Sequence, residues 1–179
     1  MEEGELRHPS ENHPTVIVNE SINDFEKMGR AVFLKRITRA LAGKETPTRE
    51  ERNRAWNSCA FTNYIMETVG EGARERPSRP MLIDAQSPFL ELLEEIKPRR
   101  IVAFGKHHMW PNMPECEVHL TDDLQAYQRR DGALAWTMCL AHPAGRGSVD
   151  WKILARAIGV FKSLNLPEHI SELETIGQT

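Results

Sequence analysis

The sequence predicts an α/β protein: a three-layer α/β/α domain with a central, mostly parallel four-stranded sheet. Three observations carry that expectation. Four short apolar runs (Val16 to Val18, Ser58 to Asn63, Arg100 to Gly105 and Ala135 to His142) stop abruptly at polar residues or glycine. Stretches with apolar residues at helical spacing alternate with them. No internal repeat or low-complexity segment interrupts the alternation. In such a sheet, ligands and catalytic groups collect at the C-terminal ends of the strands. If the strands are parallel, Glu20, Asn63 and His142 gather on one rim.

Residues 1–14, with two His-Pro steps, read as a flexible arm, and 15–179 as one domain. After the first strand, Ser21 suits a helix N-cap with Asp24 as a shortened capping box. Phe25, Met28, Val32, Phe33, Ile37 and Leu41 follow at helical spacing, and Gly43 is a natural stop. Thr46-Pro47 opens a short charged helix through Arg54. The second strand, Ser58 to Asn63, leads into a long loop carrying Arg74, Arg76 and Arg79. Ser87-Pro88 caps a helix over Phe89 to Ile96, which Lys97-Pro98 ends. The third strand closes at Gly105. Cys116 to Leu120 alternates like a half-exposed strand, and Thr121 caps a small helix ending near Gly132. The last strand runs from about Leu134 to Ala141. Ser148 then caps a helix that points Trp151, Leu154, Ile158 and Phe161 inward.

Bulk properties narrow the function. The chain has 179 residues, 40% hydrophobic and 27% charged, with net charge −3. That is ordinary for a soluble globular protein, and the absence of a global basic field argues against tight non-specific nucleic-acid binding while permitting a local basic patch. The odd cysteine count, with Cys59 and Cys139 in apolar runs, reads as buried free thiols, and Cys116 lies apart from both. No CxxC pair signals a zinc finger or a cysteine-ligated cluster. His107, His108, Cys116 and His119 are metal-ligand types, but their spacing fits no familiar zinc pattern and prolines intervene. No metal or cofactor is expected. The polar, acidic start lacks signal-peptide features, and no apolar run approaches the roughly 20 residues of a membrane span. The expected location is the cytoplasm.

Taken together, the strand ends resemble the uracil-DNA glycosylase superfamily, over about Val16 to Phe161. The nearest branch has a Gly-Glu-Ala-Pro-Gly first motif; here the strand ends in Asn19-Glu20-Ser21-Ile22-Asn23, followed by Gly29-Arg30-Ala31-Val32-Phe33. The family's second strand ends in Thr-Asn before an Arg/Pro-rich stretch, matched by Thr62-Asn63 and Arg76-Pro77-Ser78-Arg79-Pro80. Its Leu-rich helix and Pro-x-x-Ile-Val-x-x-Gly are matched by Leu90 to Ile96 and Pro98 to Gly105. Its closing His-Pro-Ser is matched by His142-Pro143-Ala144. The first motif lacks its proline and both glycines, and that branch's iron–sulfur cysteines are absent.

The resemblance implies hydrolysis of the N-glycosidic bond of uracil, or of a related damaged or modified base, after the base is flipped out of DNA. Positive charge then develops on the sugar and negative charge on the departing base. Glu20 matches the family's carboxylate on the sugar side, with Asp24 one turn on as a substitute; alternatively both only complement the positive end of the first helix. His142 would donate a hydrogen bond to the anionic base oxygen, or merely tie down its turn. Asn63, and Asn19 beside Glu20, would read the base edge, Asn63 with an amide that both donates and accepts. Phe33 would stack on the base, with Phe25 a weaker candidate, although phenylalanines at this spacing are commonly core. Arg146, with the backbone of Gly145, Gly147 and Ser148, suits a phosphate, as do Arg76 and Arg79. The expected partner is single- or double-stranded DNA, or a nucleobase or nucleotide. The alternative is an impaired family member that binds such a ligand without turnover.

Overall fold

The structure, a computed structural model, describes residues 22–23, 25, 32–67, 69, 75–144 and 150–176. The first expected strand therefore lies outside the described residues. The chain divides into two compact units, one of residues 1–63 and 150–155, the other of residues 64–149 and 156–179.

In the first unit, helix α1 (Val32–Ala42) buries Leu34, Ile37, Thr38 and Ala40. The inward stripe starts at Leu34 rather than Val32, which is 42% exposed. Helix α2 (Arg49–Trp56) begins at a capping box: Glu51 N–H donates to Thr48 Oγ1 at 3.3 Å, and Thr48 N–H donates to Glu51 Oε2 at 2.9 Å. Trp56 Nε1 donates to Thr38 Oγ1 at 3.1 Å, joining the buried faces of α1 and α2. The nearly buried Arg52 donates to the carbonyls of Ile22 and Pro47 and lies over the buried Phe25 ring. Because the box satisfies helix-end donors reciprocally, Thr48→Ala should cost about 1 kcal/mol. Urea unfolding should register this as a lower midpoint at unchanged slope.

Residues 58–63 do not form the expected strand. Ser58 Oγ donates to Ala55 O at 2.7 Å, and the amides of Ser58 and Cys59 donate to Ala55 O and Trp56 O, each at 3.3 Å. Local bonding of this kind offers the backbone an alternative to a sheet ladder. Cys59 is consequently exposed, not buried.

In the second unit, the end of the expected arginine loop is helix α3 (Arg79–Asp84), capped by Ser78 with proline in its first turn. Helix α4 (Gln86–Ile96) begins three residues before the expected Phe89 and ends where Lys97 turns left-handed, at φ 51°. Four strands follow: β1 (Arg100–Phe104), β2 (Val118–Thr121), β3 (Leu124–Gln128) and β4 (Leu134–Leu140). Helices α5 (Trp151–Ser163) and α6 (Ile170–Ile176) complete the described chain.

Sheet order is β1-β4-β3-β2, with β1 parallel to β4 and both remaining pairs antiparallel. The sheet is thus mixed rather than mostly parallel. The reason is the length of the connections: residues 122–123 and 129–133 are too short for the crossover that parallel strands need. The segment expected as a small helix after Thr121 is β3, whose side chains alternate between the two faces. Tyr127 faces Leu93, Ala103, Met113 and Ala135, with Phe89 of α4 packed on that cluster. Ala126 faces Leu134, Trp136 and Phe161, with Ile170 and Leu173 of α6 packed there. Helices therefore cover both faces of this sheet. Of the residues expected inward on α5, Leu154, Ile158 and Phe161 are buried and Trp151 is half-buried. No helix among the described residues is long and apolar enough to cross a membrane.

Candidate active site

Because β1 and β4 are parallel and pair Phe104 with Leu140, their C-terminal ends lie side by side. Gly105 N–H donates to Leu140 O at 3.0 Å, so Lys106 and His142 both leave the sheet at this rim. Gly105 sits at φ 141°, and a Cβ there would meet Met109 Cβ at 3.0 Å, so glycine is required. Its carbonyl accepts from the amides of His108, Met109 and Trp110 at 3.3, 3.0 and 3.1 Å, making a tight turn after this strand.

His142 opens the turn His142-Pro143-Ala144. The backbone N–H of Ala144 donates to His142 Nδ1 at 3.2 Å. A nitrogen that accepts a hydrogen bond carries no proton, so the neutral ring carries its proton on Nε2. Partial desolvation pushes the pKa of His142 below its ordinary 6.5, and an N–H aimed at Nδ1 also disfavours the imidazolium. More than a third of the residue remains exposed, so solvent tempers the shift. The sign of the resulting pH dependence follows. A group that binds its proton less readily when folded leaves stability intact above pH 6.5 and lowers it as pH falls toward the depressed value. Urea midpoints measured on either side of that window should fall on acidification, and His142→Gln should flatten the dependence.

Sequence reasoning missed the neighbours of His142 on this rim. Lys106 Nζ pairs with Asp123 Oδ2 at 2.5 Å, and that bond raises the lysine pKa. Asp123 Oδ1 is buried with no hydrogen-bond partner among the described residues. Asp123 O accepts from the amide of Cys139 at 2.8 Å. Burial, then the Asp123 charge, pushes the Cys139 thiol up to about 12, so it stays protonated and unreactive at neutral pH. Asp122-Asp123 between two alternating runs was the signal for this hairpin, and the charged pair disguised it as a helix start.

The other candidates divide by unit. Asn63, in the first unit, is exposed in irregular backbone, and its side-chain amide makes no hydrogen bond among the described residues. Phe33 is half-buried, its ring 6.3 Å from that of Phe61, which stands edge-on to Trp56 at 5.6 Å. In the second unit, Arg76 is exposed and its Nη1 lies 2.9 Å from His108 Nε2. Arg79 is exposed in the first turn of α3. Asn19, Glu20, Asp24, Gly145, Arg146, Gly147 and Ser148 lie outside the described residues. Cys116 Sγ is 3.9 Å from His119 Nδ1, and among the described residues no group of three or more His, Cys, Asp or Glu could hold a metal ion.

No family model, characterised protein or solved structure matches this chain.

Proposed function

We propose that the protein is a glycosylase of the uracil-DNA glycosylase type, hydrolysing the N-glycosidic bond of uracil or a related base in DNA. One observation carries the proposal: a histidine at the C-terminal end of a parallel strand whose Nδ1 accepts the Ala144 amide, which leaves Nε2 as the position of the proton when the ring is neutral. That is the chemistry needed to stabilise the oxygen of a base departing as an anion, because a neutral donor needs no proton transfer to act. Glu20, assigned on sequence resemblance alone, would stabilise the positive sugar and orient the attacking water. Asn63, with its exposed amide, is the candidate reader of the base edge. Arg76 and Arg79 are exposed cations available to DNA phosphates, and Arg146 holds the same role on sequence grounds.

The second reading is a family-like protein that holds a nucleobase, nucleotide or nucleic acid without turnover. It is favoured by a first motif that lacks the glycines and proline of the family pattern. Release of free uracil from a labelled oligonucleotide separates the two, with Glu20→Gln beside the wild type. Release by the wild type that Glu20→Gln abolishes supports turnover. Binding without release in both proteins supports the second reading. Salt-dependent oligonucleotide affinity distinguishes a DNA partner from a small ligand, since contacts to several phosphates steepen that dependence.

A further inference from the structure

At the other end of β1 and β4, about 20 Å from His142 along β4 (Trp136 in its lining is six residues before His142, at ~3.3 Å per residue), lies a cavity of about 260 Å³. Lys97, Arg99, Arg100 and Arg129 line it, above buried Leu134 and Trp136. Such a gathering of cations is unexpected in a chain of net charge −3. Two of the four are matched by carboxylates. Arg99 pairs with Glu168, itself part of the lining, and Arg129 makes a two-pronged bond to Asp131 with both contacts near 3.1–3.2 Å.

The other two have no carboxylate within ion-pair distance among the described residues, although the Asp131 charge that Arg129 holds also acts on Lys97. Arg100 donates to the carbonyls of Phe161 and Leu164 at 3.0 and 2.5 Å, and its guanidinium lies over the Phe161 ring. These contacts fix its direction and leave its charge. Lys97 has no ion pair among the described residues, and its left-handed backbone at the end of α4 holds it at the cavity mouth. Holding such a conformation at a non-glycine residue costs energy, and Lys97 is the only non-glycine residue with positive φ among those described.

We propose that this cavity binds a phosphomonoester dianion. Four cations against two carboxylates leave an excess that matches a double charge, and arginine forks suit phosphate oxygens. The recess is closed in by Leu134, Leu166 and Pro167. It fits a terminal phosphate rather than an internal one, because a continuous strand needs a groove that tracks its backbone. Two sources share this chemistry: a small phosphorylated molecule and the phosphorylated end of a nucleic acid. The site does not depend on the glycosylase proposal, since it lies at the opposite end of the strands.

Calorimetric titration with glycerol phosphate tests the proposal on the full chain, comparing wild type with Lys97→Gln, Arg100→Gln and the double variant. Lys97 is exposed and makes no ion pair among the described residues, so Lys97→Gln should melt like wild type. Thermal melts of the Arg100→Gln proteins, which lose the bonds to the Phe161 and Leu164 carbonyls, confirm that they are folded at the titration temperature. Saturable binding is expected, weakened about tenfold in each single variant and lost in the double, at ~1.4 kcal/mol per tenfold. Arg54→Ala, which removes an exposed charge elsewhere, should change nothing. Competition by a 5′-phosphorylated hexanucleotide, but not by its unphosphorylated counterpart, would assign the site to a nucleic-acid end. Failure of both to compete would assign it to a small molecule. Absence of saturable binding, or equal affinity across all variants, would overturn the proposal.

Discussion

Replacing His142 with alanine is expected to slow single-turnover base release about 10²–10³-fold, the usual cost of removing one donor to a developing oxyanion. The loss should fall on the chemical step and spare substrate affinity, because the base carries little negative charge before the bond breaks. His142→Gln, which restores an N–H donor on a shorter and differently aimed side chain, should recover part of the rate. The pH profile provides a second check. With the ring already neutral, its Nδ1 bonded to the Ala144 amide and its pKa below 6.5, the rate should hold steady down through that value and fall only at lower pH. A histidine acting as a charged acid would show the opposite trend, gaining rate on acidification. A His142→Ala protein that cleaves at the wild-type rate would remove His142 from the chemistry.

The second large effect concerns the core at the opposite end of the sheet. Phe161, 1% exposed, is packed with Ala126, Leu134 and Trp136 and lies beneath the Arg100 guanidinium. Phe161→Ala should cost roughly 3–5 kcal/mol, from the lost transfer energy plus the cavity left behind. Against a total of roughly 5–15 kcal/mol for a protein of this kind, the variant should sit near its unfolding midpoint at modest urea. Val160, one residue earlier on α5 and 52% exposed, is the control: Val160→Ala should stay within about 0.5 kcal/mol of wild type. A Phe161→Ala loss under about 1 kcal/mol would mean that α5 does not carry this face of the sheet.

How far the sequence revealed these features depended on what each stretch does locally. Punctuated elements were legible. Lys97-Pro98 ends α4 because proline cannot continue a helix and the residue before it is pushed out of the helical region, and Gly105 ends β1 because only glycine fits there. The β3 strand was hidden because it is buried on both faces, with Gln125 at 6% and Tyr127 at 1% exposure on one and Ala126 at 0% on the other. Its polar letters imitate the exposed side of a helix. Ser58 to Asn63 failed in the opposite direction. Its apolar letters suggested a strand, while bonds from Ser58 and Cys59 back to the end of α2 decided the backbone. Topology was not readable from strand-like runs alone, since the short links at 122–123 and 129–133 become decisive only once β3 is recognised.

For the candidate site, His142 was legible as a polar residue at a strand end, but its tautomer was not. That depends on where the Ala144 amide points, a detail of the turn that composition does not specify. Lys106 and Asp123 were missed for a related reason: they are 17 positions apart and meet only because the β2–β3 hairpin folds back toward the end of β1.

The most direct test of glycosylase function is single-turnover excision from uracil-containing single- and double-stranded oligonucleotides by the wild type beside Glu20→Ala and His142→Ala. The expected result is base release by the wild type that both substitutions abolish or reduce by orders of magnitude. Release untouched by either substitution would contradict the assignment of these groups, and no release of uracil by the wild type would contradict uracil as the substrate and favour the binding protein.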